Sequence, residues 1–221
     1  MVQSTAPSGS APKAPAPSRR GLMLAAVAAV AVLAGIALDT KVVHIGSDAD
    51  VRQQAFSPDT YGQKEFPRIA EAIKAKAGDA AELAAAIAAD KDAAIAKYGA
   101  PSTTGAIMSV RVTGTAGEPK AGMYPLTVAG MPDGVSIRVQ TGPAINGTDL
   151  RDAPGDIAFG SFKNQIEYQN AGAGINRAMK AAVLDKIDAA NLSGKTVEVV
   201  GAFRMINPKN WLITPVEVVV K

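Results

Sequence analysis

The chain has 221 residues, of which 48% are hydrophobic and only 5% aromatic, so we predict one domain of ordinary size plus additional segments. It has no cysteine and one histidine, His44. This excludes disulfides, thiolate metal sites, a cysteine nucleophile and a metal site of several histidines. The net charge is +3, with basic residues concentrated at Lys13, Arg19 and Arg20. Because the remainder is nearly balanced, we expect no nucleic-acid partner, and nothing in the composition predicts a cofactor.

The N-terminal region predicts export. Residues 1–18 are rich in Ser, Ala, Pro and Gly and are expected to form a disordered cytoplasmic tail. The segment 19–38 begins with two arginines and continues as an uncharged run over 21–38. A helix of that length reaches about 27 Å, which suffices for a single pass through the inner membrane. The alternative is a signal segment cleaved near Gly35-Ile36-Ala37, with secretion to the periplasm. Both interpretations place the rest of the chain outside the cytoplasm.

Residues 39–104 are predicted to form a membrane-proximal segment followed by a helical hairpin. His44 lies among apolar neighbours in a short strand-like stretch, where a packing role is more usual than metal binding. Apolar residues then recur at helical spacing over Pro67–Lys76 and Ala80–Tyr98. Asp79 and Glu82 have the spacing of a capping box at the start of the second helix. We interpret this hairpin as scaffold.

Residues 105–221 carry five strand-like segments and one long helical segment. The predicted elements, in order, are the strands Ala106–Gly114, Gly122–Ala129 and Val135–Thr141, the helix Asn164–Asn191, and the strands Thr196–Phe203 and Trp211–Val220. Five antiparallel strands with a helix between the third and fourth is the order of an OB-fold barrel, in which the helix plugs one end. The predicted class is therefore α+β, with 39–221 forming one compact unit.

The stretch Gly142–Tyr168 has the densest polar and glycine content of the chain. Arg151 offers a planar fork of donors and its neighbours offer acceptors, a set suited to a sugar or a carboxylate. The alternative is that Arg151 pairs with Asp149 or Asp152 and pins a crossover loop. The candidate ligand-binding residues are Asn146, Thr148, Asp149, Arg151, Asp152, Asn164, Gln165 and Glu167.

The start of the predicted long helix has a structural interpretation of its own. Asn164 is a candidate cap, Gln165 is placed to reach the preceding loop, and Glu167 is favoured there by the helix dipole. Asp152 and Glu167 form the one carboxylate pair that suggests acid–base chemistry. Their spacing lacks any supporting motif, so we expect no enzymatic activity.

Four motifs carry a family resemblance: G-P-x-x-x-G-T-x-x-R-D-A, F-x-x-F-x-N-Q-I-E-Y, G-K-x-V-x-V-x-G-A-F and I-T-P-V-x-V. With them the chain resembles the predicted periplasmic lipoproteins of domain of unknown function 2291 (DUF2291), over Leu38–Lys221. The resemblance implies an envelope protein, often encoded beside sugar ABC-transporter components, with no established activity. Members tend to carry a lipid-attachment cysteine after the apolar run. This chain has Leu38-Asp39 there, which excludes such lipidation and favours an uncleaved anchor.

Together these observations predict a membrane-anchored periplasmic accessory or ligand-binding protein associated with sugar ABC-type uptake. Its expected partners are the membrane, through residues 21–38, the transporter components and a small polar ligand. The alternative is a structural envelope protein that docks a partner through its barrel and binds no small molecule. Exposed apolar surface on Phe56–Phe66 would favour docking, and a polar pocket at Arg151 would favour ligand binding.

Overall fold

The computed structural model describes residues 19–40, 56–102 and 104–221. The predicted tail over 1–18 and the strand-like stretch around His44 lie outside these ranges. Helix α1 spans Arg19–Asp39. The sequence predicted a membrane-spanning segment over 21–38. Among the described residues, however, no helix is long and apolar enough to cross a bilayer, so that prediction is not supported.

Residues Phe56–Lys221 form a compact unit whose first element, α2 (Pro58–Lys76), begins nine residues before the predicted start at Pro67. Ser57 caps the helix by accepting a hydrogen bond from the Thr60 N–H, and Pro58 occupies the first turn, where its missing N–H costs nothing. Pro67 lies inside the helix. Two prolines and a glycine, Pro58, Gly62 and Pro67, disfavour helix by their intrinsic propensity, which hid this part of the helix from the sequence pattern.

The predicted second helix of the hairpin is two helices, α3 (Ala80–Ala89) and α4 (Lys91–Tyr98). Asp90 ends the first and caps the second, its Oδ1 accepting N–H bonds from Asp92 and Ala93 at 3.0 Å each. The predicted cap at Asp79 is confirmed, since its Oδ1 accepts from the Ala81 N–H at 2.9 Å.

The barrel consists of five strands, all close to their predicted positions. They are β1 (Ile107–Ala116), β2 (Met123–Thr127), β3 (Ser136–Gln140), β4 (Thr196–Arg204) and β5 (Asn210–Val220). The order β1-β2-β3-β5-β4 closes because β4 also pairs with β1. The expectation that all five are antiparallel is wrong at one seam. After β3, the chain forms β4 along the edge of β1. The last strand, β5, then lies between β4 and β3 and runs parallel to β3.

The barrel interior is filled by alternating side chains from all five strands. Met108, Val110 and Val112, at alternate positions of β1, point inward. Trp211 stacks on Phe203 with ring centroids 4.5 Å apart, and neither ring is exposed to solvent. Leu83 of α3 belongs to the same core. The register of β4 and β5 shifts at a β-bulge beside Val200 and Gly201. In the strand that carries the extra residue, the inward-facing and outward-facing positions exchange after the bulge.

A second apolar core lies on the opposite face of β4, between the barrel and two helices. Helix α6 (Gln165–Ala182) ends well before the predicted Asn191 and is followed by a 3-10 turn at Leu184–Lys186. Ile175 and Met179 of α6 pack with Ile69 of α2 and with Val200 of β4. Gly62 and Gly174 allow the two helices to touch, because a Cβ at either would overlap backbone atoms of the other helix. Thus α6 covers the outer face of the barrel wall, whereas the OB-fold expectation placed it as a plug.

Candidate functional site

The loop that follows β3 is held to the barrel by two buried amides. The Gln140 side chain accepts the Asn146 N–H at 3.1 Å and donates to the Asn146 carbonyl at 3.2 Å and to Thr214 Oγ1 at 2.8 Å. Asn176 of α6 donates to the Gly147 carbonyl at 2.9 Å. Both amides are 5% exposed. The path of the loop is therefore fixed from both sides.

The loop ends in a single helical turn, α5 (Asp149–Asp152). Leu150 and Ala153 enter the second apolar core and anchor this turn. Arg151 is buried, with Nε and Nη2 each 2.8 Å from Asp152 Oδ1 and Nη1 donating to the Tyr168 carbonyl at 2.8 Å. Its guanidinium also lies 3.5 Å from the centre of the Tyr168 ring. The structure thus contains the Arg151–Asp152 pair that the sequence offered as the alternative to a ligand-binding Arg151.

A second guanidinium, that of Arg204 at the end of β4, joins the same network. Its Nη2 donates to Asp152 Oδ2 at 2.7 Å, and its Nε lies 3.3 Å from Asp149 Oδ1. Its Nη1 donates to Thr104 Oγ1 at 2.8 Å and to Ser102 Oγ at 3.1 Å. We call Asp149, Arg151, Asp152 and Arg204 the ionic cluster. It pairs two guanidiniums with two carboxylates, so its formal charges cancel.

Burial raises the pKa of the Asp149 carboxyl above its ordinary value of 3.8. The neighbouring Arg204 guanidinium acts in the opposite direction and offsets only part of that increase. Burial therefore makes the charged form of Asp149 less favourable here than in water.

The ionic cluster forms the floor of a polar cleft of about 630 Å³, which we call the Arg204 cleft. Its polar lining residues are Ser102, Thr104, Thr148, Asp149, Arg151, Asp152, Gln165, Tyr168 and Arg204. Five of the eight residues selected from the sequence meet here. Gln165 is exposed and reaches the cleft from the first turn of α6.

The other three selected residues lie elsewhere. Asn164 caps α6, accepting the Glu167 N–H at 2.9 Å, and Glu167 accepts the Lys163 N–H at 3.0 Å. These two bonds satisfy free N–H groups at the helix start, as in a capping box. Asn146 lines a neighbouring cleft, described below. Since Glu167 does not line the Arg204 cleft, it does not share that space with Asp152.

Arg204, Tyr168, Ser102 and Thr104 were missed by sequence reasoning. Arg204 ends a mostly apolar strand, and an arginine at that position was the one available signal. Ser102 and Thr104 are about a hundred positions from Arg204 along the chain, and only strand pairing brings them together. Among the described residues, no group of acidic or histidine side chains is arranged to hold a metal ion.

The aromatic residues of the segment Phe56–Phe66 are largely packed inside the unit. Phe66 is buried in the second core. Phe56 and Tyr61 contact each other and the ring of Phe162, with centroid distances of 5.4 to 5.6 Å. Because Phe56 and Tyr61 are half-buried and Phe66 is buried, this segment offers little of the exposed apolar surface that would favour docking.

Comparison with known proteins agrees with the motifs and the fold. The family model described as predicted periplasmic lipoprotein (DUF2291) matches residues 26–219 and confirms the resemblance. Among solved structures, the chain is similar to an OB-fold protein from Thermotoga maritima, with a TM-score of 0.58 and 17% identity over 76% of this chain and 99% of that one. At this identity the likeness shows the fold alone, and it confirms the OB-like barrel. No curated protein matches the chain.

Proposed function

The chain belongs to the DUF2291 family of predicted periplasmic lipoproteins, and on that premise we propose that it binds an uncharged polyhydroxy ligand, such as a sugar, in the Arg204 cleft. In this role it serves as an accessory protein of sugar uptake across the cell envelope. The observation that carries the proposal is a polar cleft whose charged groups are already paired with one another.

The charge balance of the cleft favours a neutral ligand over an anion. A carboxylate ligand would compete with Asp152 for the N–H groups of Arg151 and Arg204, which already donate to it at 2.7 to 2.8 Å. A sugar hydroxyl both donates and accepts, so it can donate to a carboxylate oxygen and accept from the Gln165 amide at the same time. Breaking the existing pairs is then unnecessary.

The volume of the cleft also suits such a ligand. Small-molecule sites commonly enclose about 300 to 1,000 Å³, and the Arg204 cleft lies in that range at about 630 Å³. Its floor is held by the buried Arg151, so the polar groups are positioned before a ligand arrives. Such preorganisation lowers the entropic cost of binding.

The location and the partners are the less direct part of the proposal. The family description supports a periplasmic location, and association with sugar ABC-transporter components rests on the sequence resemblance. Helix α1 exposes apolar side chains such as Leu24, Val30 and Leu33, so we include attachment of residues 21–38 to the inner membrane. Cell fractionation with intact mass measurement tests this, because cleavage near Ala37 would give a shorter, membrane-free protein.

Ligand binding is tested by thermal shift of the full-length chain against sugars, polyols and small carboxylates. A ligand at about 100 times its dissociation constant stabilises the fold by about 2.7 kcal/mol, which is a measurable rise in Tm. Gln165→Ala should reduce the shift. The matched control is Gln169→Ala, an exposed glutamine on the same helix that lines neither this cleft nor its neighbour.

The outcomes separate the two function classes. A sugar-dependent shift that Gln165→Ala weakens and Gln169→Ala preserves would support binding in the cleft. A response to carboxylates alone, or silence across the panel, would contradict the proposal and favour the docking alternative. Arg151→Ala is a poor test, because Arg151 is buried and its loss would unfold the site whether or not a ligand binds there.

A further inference from the structure

We infer that the ligand is an oligosaccharide, which extends from the Arg204 cleft onto the open face of β3 and β5. This inference rests on the proposed function and deepens it, since it assigns a second, neighbouring subsite. The observation behind it is a second polar cleft that shares part of its wall with the first.

The second cleft, which we call the β3–β5 cleft, has a volume of about 550 Å³. Gly147, Asp149 and Arg204 line both clefts. The two spaces are therefore neighbours, and the Asp149–Arg204 ion pair forms part of their common wall. A single hexose is smaller than either cleft, so one sugar unit would leave most of the combined space to water. A chain of linked units fits both, passing over the ion pair.

The lining of the β3–β5 cleft includes both apolar and hydrogen-bonding groups. Met123 and Leu212 supply half-buried apolar surface, and Arg138 Nη2 donates to Asn210 Oδ1 at 2.8 Å. A pyranose ring presents apolar C–H faces and a rim of hydroxyl groups. The apolar side chains suit the C–H faces, and the arginine–amide pair offers both donors and acceptors to the hydroxyls.

The same lining argues against an oligonucleotide. Single-stranded nucleic acids bind by stacking their bases on aromatic side chains along a positively charged groove. No aromatic side chain is among the described residues that line the β3–β5 cleft. An oligonucleotide would therefore find no stacking platform in this cleft.

The position of the cleft on the barrel agrees with this assignment. It is lined by β2 and β3, by Ala121 and Gly122 before β2, and by Ile206 and Asn207 between β4 and β5. In OB-fold barrels, the face of the second and third strands and the loops before the second and fifth are the surfaces that hold extended polymers.

The test compares ligands of increasing length on the full-length chain by isothermal titration calorimetry. The probes are glucose, maltose, maltotriose and cellotriose, with xylose and xylotriose as a second series. We expect a trisaccharide of the recognised series to bind about tenfold more tightly than its monosaccharide, a gain of one or two net hydrogen bonds. Arg138→Ala should abolish this gain and leave monosaccharide affinity unchanged.

Arg111→Ala is the matched control, because Arg111 is a partly exposed barrel arginine that pairs with Glu198 and lines neither cleft. The Arg111→Ala variant should keep the full gain in affinity from monosaccharide to trisaccharide. Equal affinity for monosaccharide and trisaccharide, or a length dependence that Arg138→Ala preserves, would overturn the oligosaccharide inference and leave the proposed function standing. Absence of binding in both series would overturn both.

Discussion

The barrel interior is fully buried and the ionic cluster is largely buried, but they are built in opposite ways. The interior consists of apolar side chains supplied by all five strands, with the fully buried Trp211 stacked on Phe203. The ionic cluster brings charged groups from α5 and β4 together and satisfies them mutually. Among the described residues, no buried side-chain polar atom lacks a hydrogen-bond partner. Burial therefore stabilises the barrel directly, whereas at the cluster it positions polar groups beside a cleft.

Trp211→Ala tests the apolar side of this comparison and should have the largest effect. Trp211 is fully buried, and replacing such a side chain with alanine leaves a cavity that costs about 3 to 5 kcal/mol. Chemical denaturation would measure the lost free energy of unfolding. Val219→Ala on the same strand is the control, since Val219 is 46% exposed and should change stability by about 0.5 kcal/mol or less. Similar losses in both variants would contradict a core centred on Trp211.

Asp152→Ala tests the ionic side. It leaves two guanidiniums without their shared carboxylate, and removing one partner of a buried ion pair costs about 3 kcal/mol. Asp156→Ala is a closely matched control, because Asp156 also pairs with an arginine, Arg68, but both side chains are about half exposed. Exposed pairs contribute about 1 kcal/mol at most. If urea denaturation gave equal losses for the two variants, the cluster would be no more than a surface ion pair.

Asn164→Ala separates structure from binding at the start of α6. Loss of the cap should lower the free energy of unfolding by about 1 kcal/mol and leave sugar affinity unchanged. Asn170→Ala, an exposed asparagine inside the same helix, should leave stability equal or slightly higher, since alanine favours helix. A drop in affinity without a drop in stability would return Asn164 to the list of ligand-binding residues.

Asp149→Asn should have the smallest effect and a distinct pH dependence. Because burial raises the pKa of Asp149 in the folded state above its ordinary 3.8, the folded protein binds this proton more tightly than the unfolded chain does. Stability from this group therefore falls as pH rises from about 3.8 through the raised pKa. The free energy of unfolding of wild type, relative to Asp149→Asn, should decline over that window. A flat or rising difference would contradict the assigned burial.

The barrel could be predicted from the sequence because period-two alternation and turn residues are local signals. Met108, Val110 and Val112 show this alternation along β1, and all five strands were located. The parallel pairing of β3 with β5 was missed, because strand order in the closed barrel decides which strand β5 pairs with. Asp90 was missed as a helix break because α3 and α4 carry one continuous apolar pattern on either side of it.

The candidate site could be predicted only in part, for the same reason. Thr148, Asp149, Arg151 and Asp152 lie within five consecutive positions, and their polar density marked them. Arg204 contacts them only through the closure of the barrel, so no local pattern pointed to it. The two amides that hold the loop also lacked a local signal. Gln140 lies at the end of β3, and Asn176 lies within α6, 29 positions from Gly147.

The most direct test of the central claim is an NMR titration that follows the Arg204 Nε–H and Gln165 side-chain amide resonances as glucose, xylose or maltotriose is added. The account predicts saturable shifts at both groups, with Arg111 Nε–H unchanged as an internal reference. Saturable shifts confined to resonances outside the two clefts, or no shift with any of these sugars, would contradict it.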